Sequence, residues 1–329
     1  MKSRRLRYGL LLLAVSVVIF AVAPFIGSPT IALREALATQ SLNREIFWKL
    51  RLPRSTASFI VGAALALGGL VFQTIFRNAL ATPFTLGISG GASLGVALAF
   101  QVAGALALAP HPYALQIAAF AGAMLATALV HGISKLKRNF TTTDLLLAGV
   151  AVSFLFSSLI MFFQYVGNPD QTLRLMHWMM GGIMVSGMGD LPPLLLPLVV
   201  CAAFALARHR ELDLLLLGDD LAQTRGLATR RFRRALFLAV SFMVGACVAI
   251  CGPIGFVGLM VPHVCRLVFG ARHLRLIPAS LLLGGSLLAL CDVLARSLVA
   301  PADMPIGVIT ALMGAPFFLW LLYTDKRSM

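Results

Sequence analysis

Charged side chains are scarce in this chain. Lys, Arg, Asp and Glu make up 12% of its 329 residues, against roughly 25% in soluble domains. Hydrophobic residues reach 59%, and the mean hydropathy is +0.92. Only a bilayer solvates that balance. Strict alternation of apolar and polar residues is missing too, which argues against a transmembrane β-barrel. The apolar runs are continuous, rich in Leu, Ala and Gly, and long enough to span as helices of about 20 residues. The fold class that follows is all-α, a polytopic membrane protein.

Acidic residues are the scarcer sign, 12 against 27 Lys and Arg, for a net charge of +15. Nucleic acid is not the implied partner, because most basic residues stand in short clusters beside apolar runs, as topology signals do. Five cysteines (Cys201, Cys247, Cys251, Cys265, Cys291) lie in or beside apolar segments. Cys247 and Cys251 have helical spacing, but no second ligand pair accompanies them. They read as small buried hydrophobes, with no metal site and no disulfide framework. Gly-x-x-x-x-Gly-Lys-Ser/Thr is absent, so the usual signature for binding ATP is lacking. The six histidines are scattered, mostly at span ends, and no clustered catalytic set emerges. The chain is therefore read as a non-enzyme with no cofactor. Few ionisable groups fall within spans, which weighs against an ion-coupled secondary transporter, the alternative from another class.

Ten spans are expected, at about 8–26, 55–75, 84–104, 113–134, 143–166, 191–207, 235–251, 256–268, 276–297 and 306–323. They form one transmembrane domain over residues 1–329. Ala21-Val22-Ala23 resembles a signal-peptidase site, but Pro24 follows it directly and further spans come after, so the first helix is read as retained. The eighth span is too short to cross a hydrocarbon core of about 30 Å. Gly252-Pro253, Gly255 and Pro262 bracket it, which predicts a broken helix held inside the bundle. The basic clusters place both termini in the cytoplasm.

The longest polar interruption runs from Arg208 to Arg234 and is then cytoplasmic. Within it, Leu217 to Leu227 reads as one short helix. Asp219 is placed to cap it, Leu217 and Leu221 share a face, and Gly226 suits the left-handed residue that stops it. A helix this short needs something to pack against, in this chain or another. A solvated loop is the competing reading.

Val61-Gly62-Ala63-Ala64-Leu65-Ala66-Leu67-Gly68-Gly69 matches Val244-Gly245-Ala246-Cys247-Val248-Ala249-Ile250-Cys251-Gly252 at five of nine positions. The echo predicts an inverted repeat of spans two to five and seven to ten, although Ala and Gly are frequent enough here for chance. Gly87, Gly91 and Gly95 recur at every fourth position, a spacing that lets helices approach closely. On the outer side, Arg51, Arg54 and Arg296 suggest an acidic docking partner, while Asp292 and Arg296 also suit a self-satisfied i, i+4 pair.

Several separated motifs resemble the FecCD-type permeases. They are Arg51-Leu52-Pro53-Arg54, the Val61–Gly69 stretch, Asn78-Ala79-Leu80-Ala81-Thr82-Pro83, Leu86-Gly87-Ile88-Ser89-Gly90-Gly91-Ala92, Leu146–Ala151, Gly252–Leu259 with Val261-Pro262-His263, and Pro305–Thr310 with Gly314-Ala315-Pro316. The resemblance runs from about residue 50 to 322. It implies a multi-pass subunit of a bacterial inner-membrane ABC importer. The subunit would pair with a second copy of itself, with a dimer of a cytosolic ATPase and with an extracytoplasmic substrate-binding protein. It places Asp219, Asp220, Ala222 and Gly226 at the ATPase, and Arg51, Arg54 and Arg296 at the binding protein. It assigns Asn78, Leu80, Thr142 and Thr143 to the cytoplasmic gate, with Ala79 and Asp144 departing from the family pattern. The segment Asn168–Gly182 falls at the outer mouth, where Met176, His177, Met179 and Met180 suit haem or flexible packing. The expected cargo is an iron chelate, a ferric siderophore first, with haem or cobalamin as the alternative.

Overall fold

The computed structural model describes residues 2–27, 32–37, 42–106, 111–136, 142–299 and 302–325. The chain opens with α1 (Lys2–Val22), the short α2 (Leu33–Leu37) and α3 (Leu42–Glu45), and a π-helical stretch at Ile46–Arg51. α4 (Leu52–Phe76), α5 (Ile88–Ala105), α6 (Pro112–Leu136) and α7 (Thr142–Val166) are long and apolar. The short α8 (Pro169–Met179) precedes α9 (Pro192–Ala207). Two short helices, α10 (His209–Leu217) and α11 (Asp219–Thr224), lead into α12 (Thr229–Cys251). α13 (Val257–Phe269), α14 (His273–Ser297) and α15 (Ile306–Asp325) complete the bundle. No strand occurs among the described residues.

Among the described residues, eight helical stretches are long and apolar enough to cross a membrane, and α13 and α15 supply two shorter apolar segments. Together they occupy the ten expected spans. α12 begins at Thr229 and not near 235, because Arg230, Arg231, Arg233 and Arg234 continue the helix past its apolar part.

α4 is the axis of the bundle, with 94% of its most apolar window buried. Pro53 stands in its first turn, where a missing N–H costs nothing. It ends at Arg77, in the left-handed region at φ 47°, while the Asn78 N–H donates to the Gln73 carbonyl at 3.2 Å. α4 packs most extensively on α14, where Gly62 and Gly284 meet. Gly91 and Gly95 of α5 abut Gly122 and Ala118 of α6 in the same manner. Gly87 takes a different role from its two partners. It caps α5 at φ 82° and lies against Gly149 and Ser153 of α7.

The internal echo has a counterpart in packing. Gly62 of α4 lies on α14, and its sequence equivalent Gly245 of α12 lies on Ala123 and Met124 of α6. α6 and α14 are the helices that an inverted repeat pairs with each other, so the two halves bury equivalent positions on equivalent neighbours.

α1 is tied into the bundle. The Ser286 hydroxyl of α14 donates to Ser16 Oγ at 2.8 Å, and Ser16 donates to the Leu282 carbonyl at 3.4 Å.

α13 is the broken helix. It starts after Phe256, held at φ 65°, and contains Pro262. Pro262 has no N–H, so it leaves the Gly258 carbonyl without its helical partner. Buried Gln73 of α4 fills that gap. Its Nε2 donates to Gly258 O at 3.3 Å and to Leu259 O at 3.4 Å. Its Oε1 accepts from Arg266 Nη1 at 2.5 Å. This is how a helix too short to span keeps its backbone satisfied inside the bundle.

Candidate functional site

α4 joins two polar clusters at opposite ends of the bundle. One lies at its first turn. Arg54 Nε stands 2.9 Å from Asp292 Oδ1, and Arg54 Nη1 2.6 Å from Asp303 Oδ2. Arg296 Nη2 stands 3.0 Å from Asp292 Oδ2 and donates to the Ala23 carbonyl at 3.3 Å and Ser55 Oγ at 3.4 Å. Arg51 Nη1 donates to the Phe25 carbonyl at 3.4 Å. Asp292 is wholly buried between two guanidinium groups. The i, i+4 pair of Asp292 and Arg296 is present as expected. The outward-facing arginines are not: Arg51 and Arg296 are buried, and Arg54 keeps only 22% of its side chain exposed. Burial selects this arrangement, since a desolvated guanidinium is stable only beside an acceptor, and Asp292 is the one carboxylate within the apolar part of α14.

The other cluster gathers around α10 and α11. The polar segment is helical, but in two pieces: Gly218, at φ 119°, separates α10 from α11. Asp219 does not cap α11, because the cap position is Gly218 and no side chain bonds there. Its carboxylate instead takes Arg233 in a bidentate pair, at 2.8 and 2.5 Å, and also pairs with Arg77 at the end of α4. Gly226 adopts φ 82°, and the Leu227 N–H closes onto the Ala222 carbonyl at 3.0 Å, so Gly226 stops α11 as expected. Of the four expected partner-contact residues, Asp220 and Gly226 are exposed, Asp219 is partly exposed and Ala222 is fully buried. Leu217 and Leu221 stand 64% and 56% exposed beside them. Glu211 in α10 feels burial, which opposes its ionisation. The hydrogen bond and charge of Arg208 prevail and hold its carboxyl below the usual range.

Of the expected gate residues, Asn78 and Leu80 form one turn in which Asn78 Oδ1 accepts the Leu80 N–H at 2.9 Å. Leu80 is exposed. Thr142 opens α7, with its side chain outside the described part, and Thr143 is exposed. No hydrogen bond joins the two pairs among the described residues.

α8 presents Met176, His177 and Met180 outward, while Leu175 and Trp178 are buried. Its end is fixed by a junction of three backbones. The Gly182 N–H donates to the Cys251 carbonyl at 2.8 Å, and the Gly307 N–H to the Gly181 carbonyl at 3.4 Å. Gly181 and Gly252 take φ 71° and 66°, and a Cβ on Gly181, Gly252 or Gly307 would collide with a neighbouring carbonyl.

Sequence reasoning missed Gln73, Asp303 and the pairing of Asp213 with His273, treated below. Their partners lie far away in the chain, and no local pattern marks them.

A bundle of long apolar helices, with one broken helix and a polar helical segment between α9 and α12, is the architecture of a polytopic membrane protein. The chain belongs to the FecCD transport family, whose model matches residues 11–324. It is an ABC permease of that family. The vitamin B12 import system permease protein BtuC of Vibrio parahaemolyticus is 37% identical over 98% of this chain and 95% of its own length. BtuC of Escherichia coli is 40% identical over 86% of this chain and 85% of its own length. Among solved structures, a metal-chelate type ABC transporter in an inward-facing conformation superposes with a TM-score of 0.86, at 30% identity, over 97% of this chain and 99% of that one. PsaBC from Streptococcus pneumoniae shares the fold, with a TM-score of 0.56 at 17% identity over 84% of this chain and 92% of that one.

Proposed function

We propose that this chain is the permease subunit of an ATP-driven importer for cobalamin. The near full-length similarity to vitamin B12 import permeases carries the reading. It favours the cobalamin alternative over the ferric siderophore that the sequence motifs put first. Cobalamin is itself a metal chelate, in keeping with the solved relative of metal-chelate type.

Two copies of the whole chain would enclose the cargo path. Both termini and the α10–α11 segment face the cytosol, where exposed Leu217, Asp220, Leu221 and Gly226 offer a surface to the ATPase. Apolar knobs beside a carboxylate suit a helix seated in a partner's cleft. The opposite end faces the binding protein. Arg54, the most exposed of the three arginines, is the residue best able to exchange Asp303 for a partner carboxylate. Asn78 and Leu80 with Thr142 and Thr143 close the path on the cytosolic side. ATP-driven motion of α10 and α11 switches the cavity between its two faces.

Uptake of labelled cyanocobalamin tests this in cells with and without the gene, beside a panel of labelled ferric siderophores. Loss of cobalamin uptake alone is the expected result. Loss of ferric siderophore uptake with cobalamin uptake intact would return the cargo to iron.

A further inference from the structure

α10 is fastened to the bundle by buried Leu212 and Leu215 and by one polar link, through a histidine. His273 is the first residue of α14 and is completely buried. Its backbone N–H donates to Asp213 Oδ1 of α10 at 2.9 Å, and its ring Nδ1 lies 2.6 Å from the same oxygen. Its Nε2 lies 2.8 Å from Thr74 Oγ1 in the last turn of α4, and Thr74 donates to the Leu70 carbonyl at 2.8 Å. Asp213 therefore serves α14 as a capping carboxylate supplied from another helix, set at the positive end of the α14 dipole. One imidazole then carries the connection onward to α4. α10 packs on both helices.

The imidazole differs from the other charged or ionisable partners of the segment in being wholly buried. Asp219, Arg77 and Arg233 are partly open to solvent, so their ion pairs are screened. The imidazole of His273 is wholly buried, while Asp213 keeps 35% of its side chain exposed, and the link joins α10 to the two membrane helices that share the most extensive interface among the described elements.

We propose that Asp213, His273 and Thr74 form a strut that converts displacement of α10 into displacement of the α4–α14 pair. Asp213 and His273 are positioning residues for the coupling of ATP hydrolysis to transport. The proposal rests on the ABC importer reading above. Without the strut, α10 still meets the ATPase through exposed side chains, but its movement is not passed on.

The test uses the full complex of permease, ATPase and binding protein in vesicles, with cyanocobalamin as the probe. His273→Asn keeps a donor near Nδ1 and loses the reach to Thr74. His273→Gln keeps the reach and loses Asp213. Both variants, with Asp213→Asn and Thr74→Val, are expected to retain the ATPase and hydrolyse ATP within about twofold of wild type. Their uptake per ATP falls by about tenfold or more, the scale of a lost coupling energy. Thr74→Ser keeps the hydroxyl and should behave as wild type, which a merely structural defect at a fully buried site would not predict. Unchanged uptake per ATP in Thr74→Val and in both His273 variants overturns the strut. So does an equal loss in Thr74→Ser and Thr74→Val. If wild-type vesicles take up no cyanocobalamin, the cobalamin reading fails and hydrogen exchange decides the strut. ATP should then alter exchange in α10 and in the first turn of α14 together in wild type, and in α10 alone in Thr74→Val. Joint alteration in both proteins overturns it.

Discussion

Gly62 of α4 and Gly284 of α14 lie backbone against backbone, each without room for a β-carbon because the other's carbonyl occupies the space. Small residues at such crossings let van der Waals contact drive helix association where lipid offers no hydrophobic gain. Gly62→Val should separate the two helices and cost about 1–3 kcal/mol or more. Gly132→Ala in α6, where nothing stands within 4 Å, should be neutral or slightly stabilising. The five cysteines are free and buried. A thiol-reactive dye followed during heating in detergent therefore reports unfolding for both variants.

Asp292 pairs with two guanidinium groups from a fully buried position. Asp292→Ala should destabilise by about 3–5 kcal/mol, because it strands the buried Arg296 and leaves Arg54 with Asp303 alone. Asp292→Ala with Arg54→Leu and Arg296→Met should recover much of that loss. The same dye-based melt measures it, and equal melting of single and triple variants would remove the ion cluster from the stability argument.

Gln73 and Pro262 are coupled across two helices. Gln73→Leu leaves the Gly258 carbonyl and Arg266 Nη1 unpartnered and should cost about 1–3 kcal/mol. Pro262→Ala restores the N–H that Gly258 lacks. In that background the cost of Gln73→Leu should shrink, a non-zero interaction energy in a double-mutant cycle. Additive melting shifts would show that Gln73 serves Arg266 alone.

On the proposed importer reading, Leu221→Asp should abolish co-purification of the ATPase without changing the melt, since Leu221 is exposed. Ala222→Leu, one residue away but fully buried, should show the reverse order of effects, with folding lost first. Retention of the ATPase by Leu221→Asp together with Leu217→Asp would move the docking surface elsewhere.

The spans were legible because each is a long apolar run, and run length is a local property. So were the broken α13, whose glycines and proline punctuate it, and the stop at Gly226. The direction in which charged residues face was not legible. Arg54 looked outward because its own neighbourhood holds no acid. Its partners, Asp292 and Asp303, arrive from more than two hundred residues away. Asp219 reads as a cap from its place at a helix start; Arg233 lies in the same polar segment, but only the fold of α11 back onto α12 and the end of α4 brings it and Arg77 to that carboxylate. Burial makes such choices, and a sequence read in windows does not contain it. His273 sat among histidines at span ends with nothing to distinguish it, for its carboxylate lies on a helix two spans earlier.

The glycine junction at Gly181, Gly252 and Gly307 bears on how the protein is made. Gly181 leaves the ribosome long before Gly307, yet the hydrogen bond between them holds the end of α8. Until α15 is synthesised, the end of α8 lacks this contact. The fold is thus closed at this point by residues made at widely separated times.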